Sequence, residues 1–62
     1  MKVKIKSCNG EFPSCFSEGA EYFVEDTNDL DGCWIFGDDG EDHYVLFNGC
    51  SYLNGGSWEV VR

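Results

Sequence analysis

Cys33-Trp-Ile-Phe-Gly-Asp-Asp-Gly-Glu-Asp-His-Tyr-Val-Leu-Phe47 is the stretch on which the fold turns. Its ends, 33–36 and 42–47, are aromatic and branched runs with strand character. Its middle, Gly37-Asp38-Asp39-Gly40-Glu41, is a tight hairpin signal. Successive strand residues point to opposite faces. On the first run Trp34 and Phe36 therefore share one face and Cys33 and Ile35 the other. On the second, Val45 and Phe47 oppose Tyr44 and Leu46, and we assign Val45 and Phe47 to the core. Both faces of both strands are apolar. One set must fill a core, and the other needs a cover: a long loop, a second copy, or a partner.

The rest of the chain keeps the same pattern. Residues 2–7 alternate, with Val3 and Ile5 on one face and Lys2, Lys4 and Lys6 on the other. Residues 21–25 carry Tyr22, Phe23 and Val24, and residues 58–61 read Trp-Glu-Val-Val. Asn9-Gly10, Asn48-Gly49 and Asn54-Gly55 are turn signals. Apolar residues nowhere recur at i, i+3 and i+4, so no helix is predicted beyond one 3₁₀ turn at 51–53. Segments 8–20, which holds the only proline, Pro13, and 48–57 are long connections. Five short strands in 62 residues cannot build a two-layer sandwich with a useful core. They can close as a small barrel, which hides the sheet edges. Closure sets the first strand beside the last and brings Lys4 and Lys6 within reach of Glu59. One all-β domain over 1–62 is expected, with a small core, since a chain this short buries only about 60% of its unfolded surface.

Three pieces of the sequence resemble small SH3-like barrels, in particular short ones common in bacteriophage genomes. They are Glu18-Gly-Ala-Glu-Tyr-Phe-Val24, the Asp38-Asp-Gly-Glu41 hairpin between aromatic-rich strands, and the terminal Trp58-Glu-Val-Val61. The chain departs from the signalling SH3 pattern in having no Ala-Leu-Tyr-Asp-Tyr run. The resemblance implies a five-stranded SH3-like barrel. It also implies an accessory phage protein of a group in which some members bind and block host proteins, with the host cytoplasm as its setting.

Twelve Asp and Glu against four Lys and Arg give a formal net charge of −8. So few cations cannot neutralise a phosphate array, so neither nucleic acid nor an anionic membrane surface is an expected partner. No run approaches the roughly 20 apolar residues of a membrane span, and no apolar run follows the first lysines as in a secretory leader, so a cytoplasmic protein is expected. Two Trp, three Tyr and five Phe are too many for a disordered tail. The acids gather in two runs, Glu25, Asp26, Asp29, Asp31 and Asp38, Asp39, Glu41, Asp42, expected at one end or side of the barrel.

Sites with chemistry are weak in this sequence. Cys8, Cys15, Cys33 and Cys50 are separated by 6, 17 and 16 residues, and none forms the close pair that structural zinc uses. Reduced thiols are expected, with one of three disulfide pairings as the alternative, and Cys33 is the best core candidate. Thr27, Asp29, Asp31, Gly32 and Asp38 follow calcium-loop spacing, but Thr27 stands where a carboxylate is needed and the flanks read as strands. His43, the one histidine, is expected on a strand surface, with no cysteine placed beside it for nucleophilic chemistry. No catalytic residue, metal or cofactor is assigned.

The function expected is a non-enzymatic protein-interaction module. Tyr44, Leu46 and Ile35 are its candidate anchors, and Asp38, Asp39, Glu41 and Asp42 its acidic rim. Two other classes stay open. One is a nucleic-acid mimic whose carboxylates imitate phosphates; the other is a structural accessory that forms a homo-oligomer. The chain's own candidate cover is the 8–20 segment, folding back as a lid with Phe12, Pro13 and Phe16.

Overall fold

The computed structural model describes residues 1–26 and 30–62. It has five strands: β1 (Lys2–Ser7), β2 (Tyr22–Asp26), β3 (Gly32–Phe36), β4 (Asp42–Leu46) and β5 (Ser57–Val61). A 3₁₀ turn, Ser51–Leu53, precedes β5. The strands pair antiparallel in one sheet, in the order β4-β3-β2-β1-β5. The fold is all-β, as the turn spacing predicts, and every strand lies within a residue of its sequence-derived limits. The sheet curls in a barrel-like way but does not close. The Trp58 N–H donates to the Phe47 carbonyl at 2.9 Å, which draws the start of β5 to the end of β4.

The turns follow their residue types. Gly40 (φ +82°) completes the β3–β4 turn, where its N–H donates to the Gly37 carbonyl at 3.1 Å. Asn54 (φ +56°) and Gly55 (φ +89°) end the 3₁₀ turn in the left-handed region that these two residue types tolerate. Lys4 of β1 meets Glu59 of β5 at 3.8 Å, as the expected strand neighbourhood requires.

The inner face is built from Val3, Tyr22, Cys33, Ile35, Val45 and Trp58, closed by Cys15, Phe16, Cys50 and Leu53. Segment 8–21 does fold back, and its key side chain is Phe16, 2% exposed. That ring stands edge-to-face with Trp58 at 5.0 Å, Tyr22 and His43 at 5.4 Å and Tyr52 at 5.6 Å. Phe12, grouped with Phe16 in the sequence reading, stays exposed. The lid therefore plugs the inner face of the curled sheet and leaves the outer face of β2, β3 and β4 open. Trp58 Nε1 is buried with no hydrogen-bond partner among the described residues. The Phe16 and Tyr22 rings set edge-to-face at 5.0 and 6.0 Å pack against this indole.

Two expectations are corrected here. Ile35 is a core residue, 0% exposed, and cannot anchor a partner. β3 pairs with β4 so that Cys33 lies opposite Val45, Trp34 opposite Tyr44 and Ile35 opposite His43. Ile35 thus shares the face of Cys33 and Val45, while Trp34 and Phe36 go out. The physical reason is volume: Phe16, Tyr22 and Trp58 already supply the large rings of a small core, which leaves room for branched and thiol side chains from β3. The second correction concerns His43, which faces inward with a side chain only 16% exposed, packed on Phe16.

Candidate interaction face

The outer face of β2–β4 is built by alternation and register. Phe23 alternates with inward Tyr22 and Val24. Val24 pairs with Ile35, so Phe23 stands one step along, beside Phe36, and Phe36 pairs with Asp42. Lys2 pairs with Phe23 from β1, which makes one row across four strands: Lys2, Phe23, Phe36, Asp42. A second row holds Asp26, Trp34 and Tyr44. Leu46 follows, opposite Gly32. Phe23 is 70% exposed, Phe36 54% and Trp34 44%.

Tyr44 is seated rather than loose. Its ring lies 5.6 Å from Trp34, and a Cβ at Gly32 would stand 2.8 Å from the Tyr44 hydroxyl. That Cβ would also stand 2.5 Å from the Val45 carbonyl oxygen, so glycine at 32 lets both the strand pairing and the Tyr44 ring sit where they do. Lys2 holds its ammonium 5.0 Å from the Phe23 ring centroid and 3.6 Å from Glu21.

The register between β2 and β3 slips by one residue after Val24, a bulge that re-aims Glu25. A proton shared with Asp42, with some desolvation and the neighbouring charge, raises the Glu25 pKa above its ordinary 4.5. Asp42 pairs with Phe36 of the aromatic row, and Glu25 feels its carboxyl from β2.

The other acids behave differently. The two acidic runs, expected at one end or side, do not share an end: the β2–β3 connection and the β3–β4 turn lie at opposite ends of β3, and it is Glu25 and Asp42 that share a side. Asp38 accepts from the Ser17 hydroxyl at 2.6 Å and the Tyr22 hydroxyl at 3.1 Å, while its N–H donates to the Cys15 carbonyl at 2.7 Å. Asp39 accepts from the His43 Nε2 side at 2.9 Å and from the Glu41 N–H at 3.1 Å. Desolvation works against ionised Asp39, but these two partners outweigh it and hold the carboxyl below its ordinary 3.8. Asp38 and Asp39 therefore pin the lid and the turn, and they do not belong to the outer face. Glu41 and Asp42 are exposed as a rim requires. Thr27 and Asp29 of the calcium-like spacing lie outside the described residues.

His43 has both ring nitrogens engaged, Nε2 with Asp39 and Nδ1 with the Tyr52 hydroxyl at 3.2 Å. The arrangement clamps the β3–β4 turn to the 3₁₀ turn. The structure joins no two of the four cysteines by a disulfide. Burial pushes Cys15 and Cys33 above the ordinary 9.0, which leaves both as neutral thiols near pH 7 and weak nucleophiles. No helix among the described residues is long and apolar enough to cross a membrane. Comparison with family models, with curated proteins and with solved structures found no match.

The sequence reading missed Trp34, Phe36 and Phe23 as surface residues. The signal was in the hairpin. A loop of 37–41 pairs Phe36 with Asp42, and a carboxylate on that face carries Phe36, Trp34 and Tyr44 outward together.

Proposed function

We propose that this chain is a non-enzymatic protein-interaction module that docks through the outer face of β2–β4. One observation carries the reading. Phe23, Trp34, Phe36 and Leu46 are exposed together on one sheet face, although a complete core exists without them. A contiguous exposed apolar patch is what interaction sites have, and aromatics are the residues interfaces favour. Of the anchors expected from sequence, Tyr44 and Leu46 keep their place, with Glu41 and Asp42 on the rim. A nucleic-acid mimic is less favoured, because Asp38 already pins the lid and Asp39 the turn. A homo-oligomer would set one acidic face against another at a net charge of −8 per chain. The SH3-like, phage-encoded origin and a host-cytoplasmic partner belong to the same proposal, and the three sequence motifs carry them.

The test is capture from a bacterial lysate on immobilised protein at low and at physiological salt, beside the double variant Trp34→Ser/Phe36→Ser. Proteins held by the parent at both salt levels and lost from the variant are expected. An identical set on both surfaces overturns the reading.

A further inference from the structure

We propose that the occupant of the outer face is a basic, arginine-bearing segment of a partner protein, with guanidinium groups lying on the Phe36 and Trp34 rings beside Glu25 and Asp42. This rests on the protein-binding reading above and names the partner's chemistry.

Charge complementarity carries it first. The polar side chains interleaved with the rings on β2–β4 are Glu25, Asp26 and Asp42, all carboxylates, in a molecule of net charge −8. A second copy of this chain would bring the same acids against themselves, and a phosphate backbone would fare worse. The chain's own cation on this face supplies the second support. Lys2 already stands over Phe23, so the face presents a ring to a cation in the geometry that cation–π attraction needs. Phe36, next in the same row and 54% exposed, carries no cation among the described residues.

The third support is the placement of two acids along the ring row: Asp42 pairs with Phe36, and Glu25 sits at the bulge just past Val24, which pairs with Ile35. Like charges on one face repel, and a cation between them offsets the repulsion. Arginine fits better than lysine. Its planar fork offers parallel N–H groups to carboxylates while its flat face stacks on a ring. Alternating Arg and apolar residues in an extended segment would set every second side chain on the strip of rings.

The experiment is an NMR titration of the full chain with a short capped peptide alternating Arg and Val, and with its Lys and Glu counterparts. Shifts are expected at the Phe23, Trp34, Phe36 and Leu46 amides and at the Trp34 indole, with the Trp58 indole unmoved. Affinity should fall in the order Arg, Lys, Glu, and Phe36→Ser should weaken the Arg peptide about fivefold or more. Phe36 is exposed, so the variant should keep its dispersed spectrum; Phe23→Ser serves as the second variant. An Arg peptide that shifts nothing on this face overturns the proposal, as does a Glu peptide that binds equally well. Arg binding that survives Phe36→Ser and Phe23→Ser but vanishes with salt overturns it too, since charge alone would then be at work. If lysate capture still depends on Trp34 and Phe36 in those cases, the docking face stands and only the partner's chemistry is wrong.

Discussion

Ile35 and Phe36 are neighbours in the chain and opposites in the sheet. Ile35→Ala would leave a cavity in the core and should cost about 2–5 kcal/mol. A domain this small holds roughly 5 kcal/mol of stability in all, so the variant should lose most of its cooperative urea transition. Phe36→Ser should shift the same transition by less than about 0.5 kcal/mol, since Phe36 is mainly solvent-facing. Gly32→Ala is a sharper probe of Tyr44. The new methyl group meets the Val45 carbonyl oxygen at 2.5 Å and the Tyr44 ring at 2.8 Å, so both the β3–β4 pairing and the ring must shift; about 1–3 kcal/mol of destabilisation is expected, with a change in Trp34 fluorescence as the two rings part. Glu25 adds a pH signature. Its folded pKa is raised, so the folded state holds that proton longer than the unfolded chain does. The contribution is present on the acid side and is lost as pH rises through the raised value. Glu25→Gln should therefore raise the melting temperature near pH 7 and leave it little changed near pH 4, as read by thermal melts at both pH values.

The lid, residues 8–21, is the element whose placement decides what the outer face can do. It is held by Phe16 among four rings and by polar ties to Asp38. Phe16→Ala should cost about 3–5 kcal/mol, enough to unfold the domain, while the exposed Phe12→Ala should be nearly silent. The clamp from Asp39 to His43 has the opposite pH sense to Glu25. A depressed carboxyl contributes stability above its unfolded pKa and loses it as pH falls through the folded one. Asp39→Asn should flatten the acid limb of a stability-against-pH curve below about pH 4; an unchanged limb would show that the clamp contributes nothing. The existence of a long folded-back loop was legible from its length, Pro13 and its two phenylalanines. Which face it covers was not, because that depends on where the sheet curls and which rings reach its centre.

At the scale of the molecule, charge and size set the terms. Twelve acids and four bases on 62 residues make self-repulsion an appreciable fraction of a small stability. Moving from about 10 mM to about 150 mM salt shortens the screening length from roughly 30 Å to 8 Å and should raise the melting temperature. A flat salt response would mean that local pairs such as Lys4–Glu59 already neutralise the field.

The sequence by itself determined the class, the strand limits, the hairpin and the 3₁₀ turn. These rest on two-residue alternation and on Gly and Asn at positive φ, which are properties of a few adjacent residues. It also set Val45 inward and Tyr44 and Leu46 outward, because alternation ties each to its neighbours. Only the tertiary structure decided that Ile35 is core, that Asp38 holds the lid and Asp39 the turn, that His43 lies inside, and that Glu25 lies near Asp42. Each of these pairs or groups residues distant in the chain, and local pattern does not encode how a curled sheet shares a small core among competing rings.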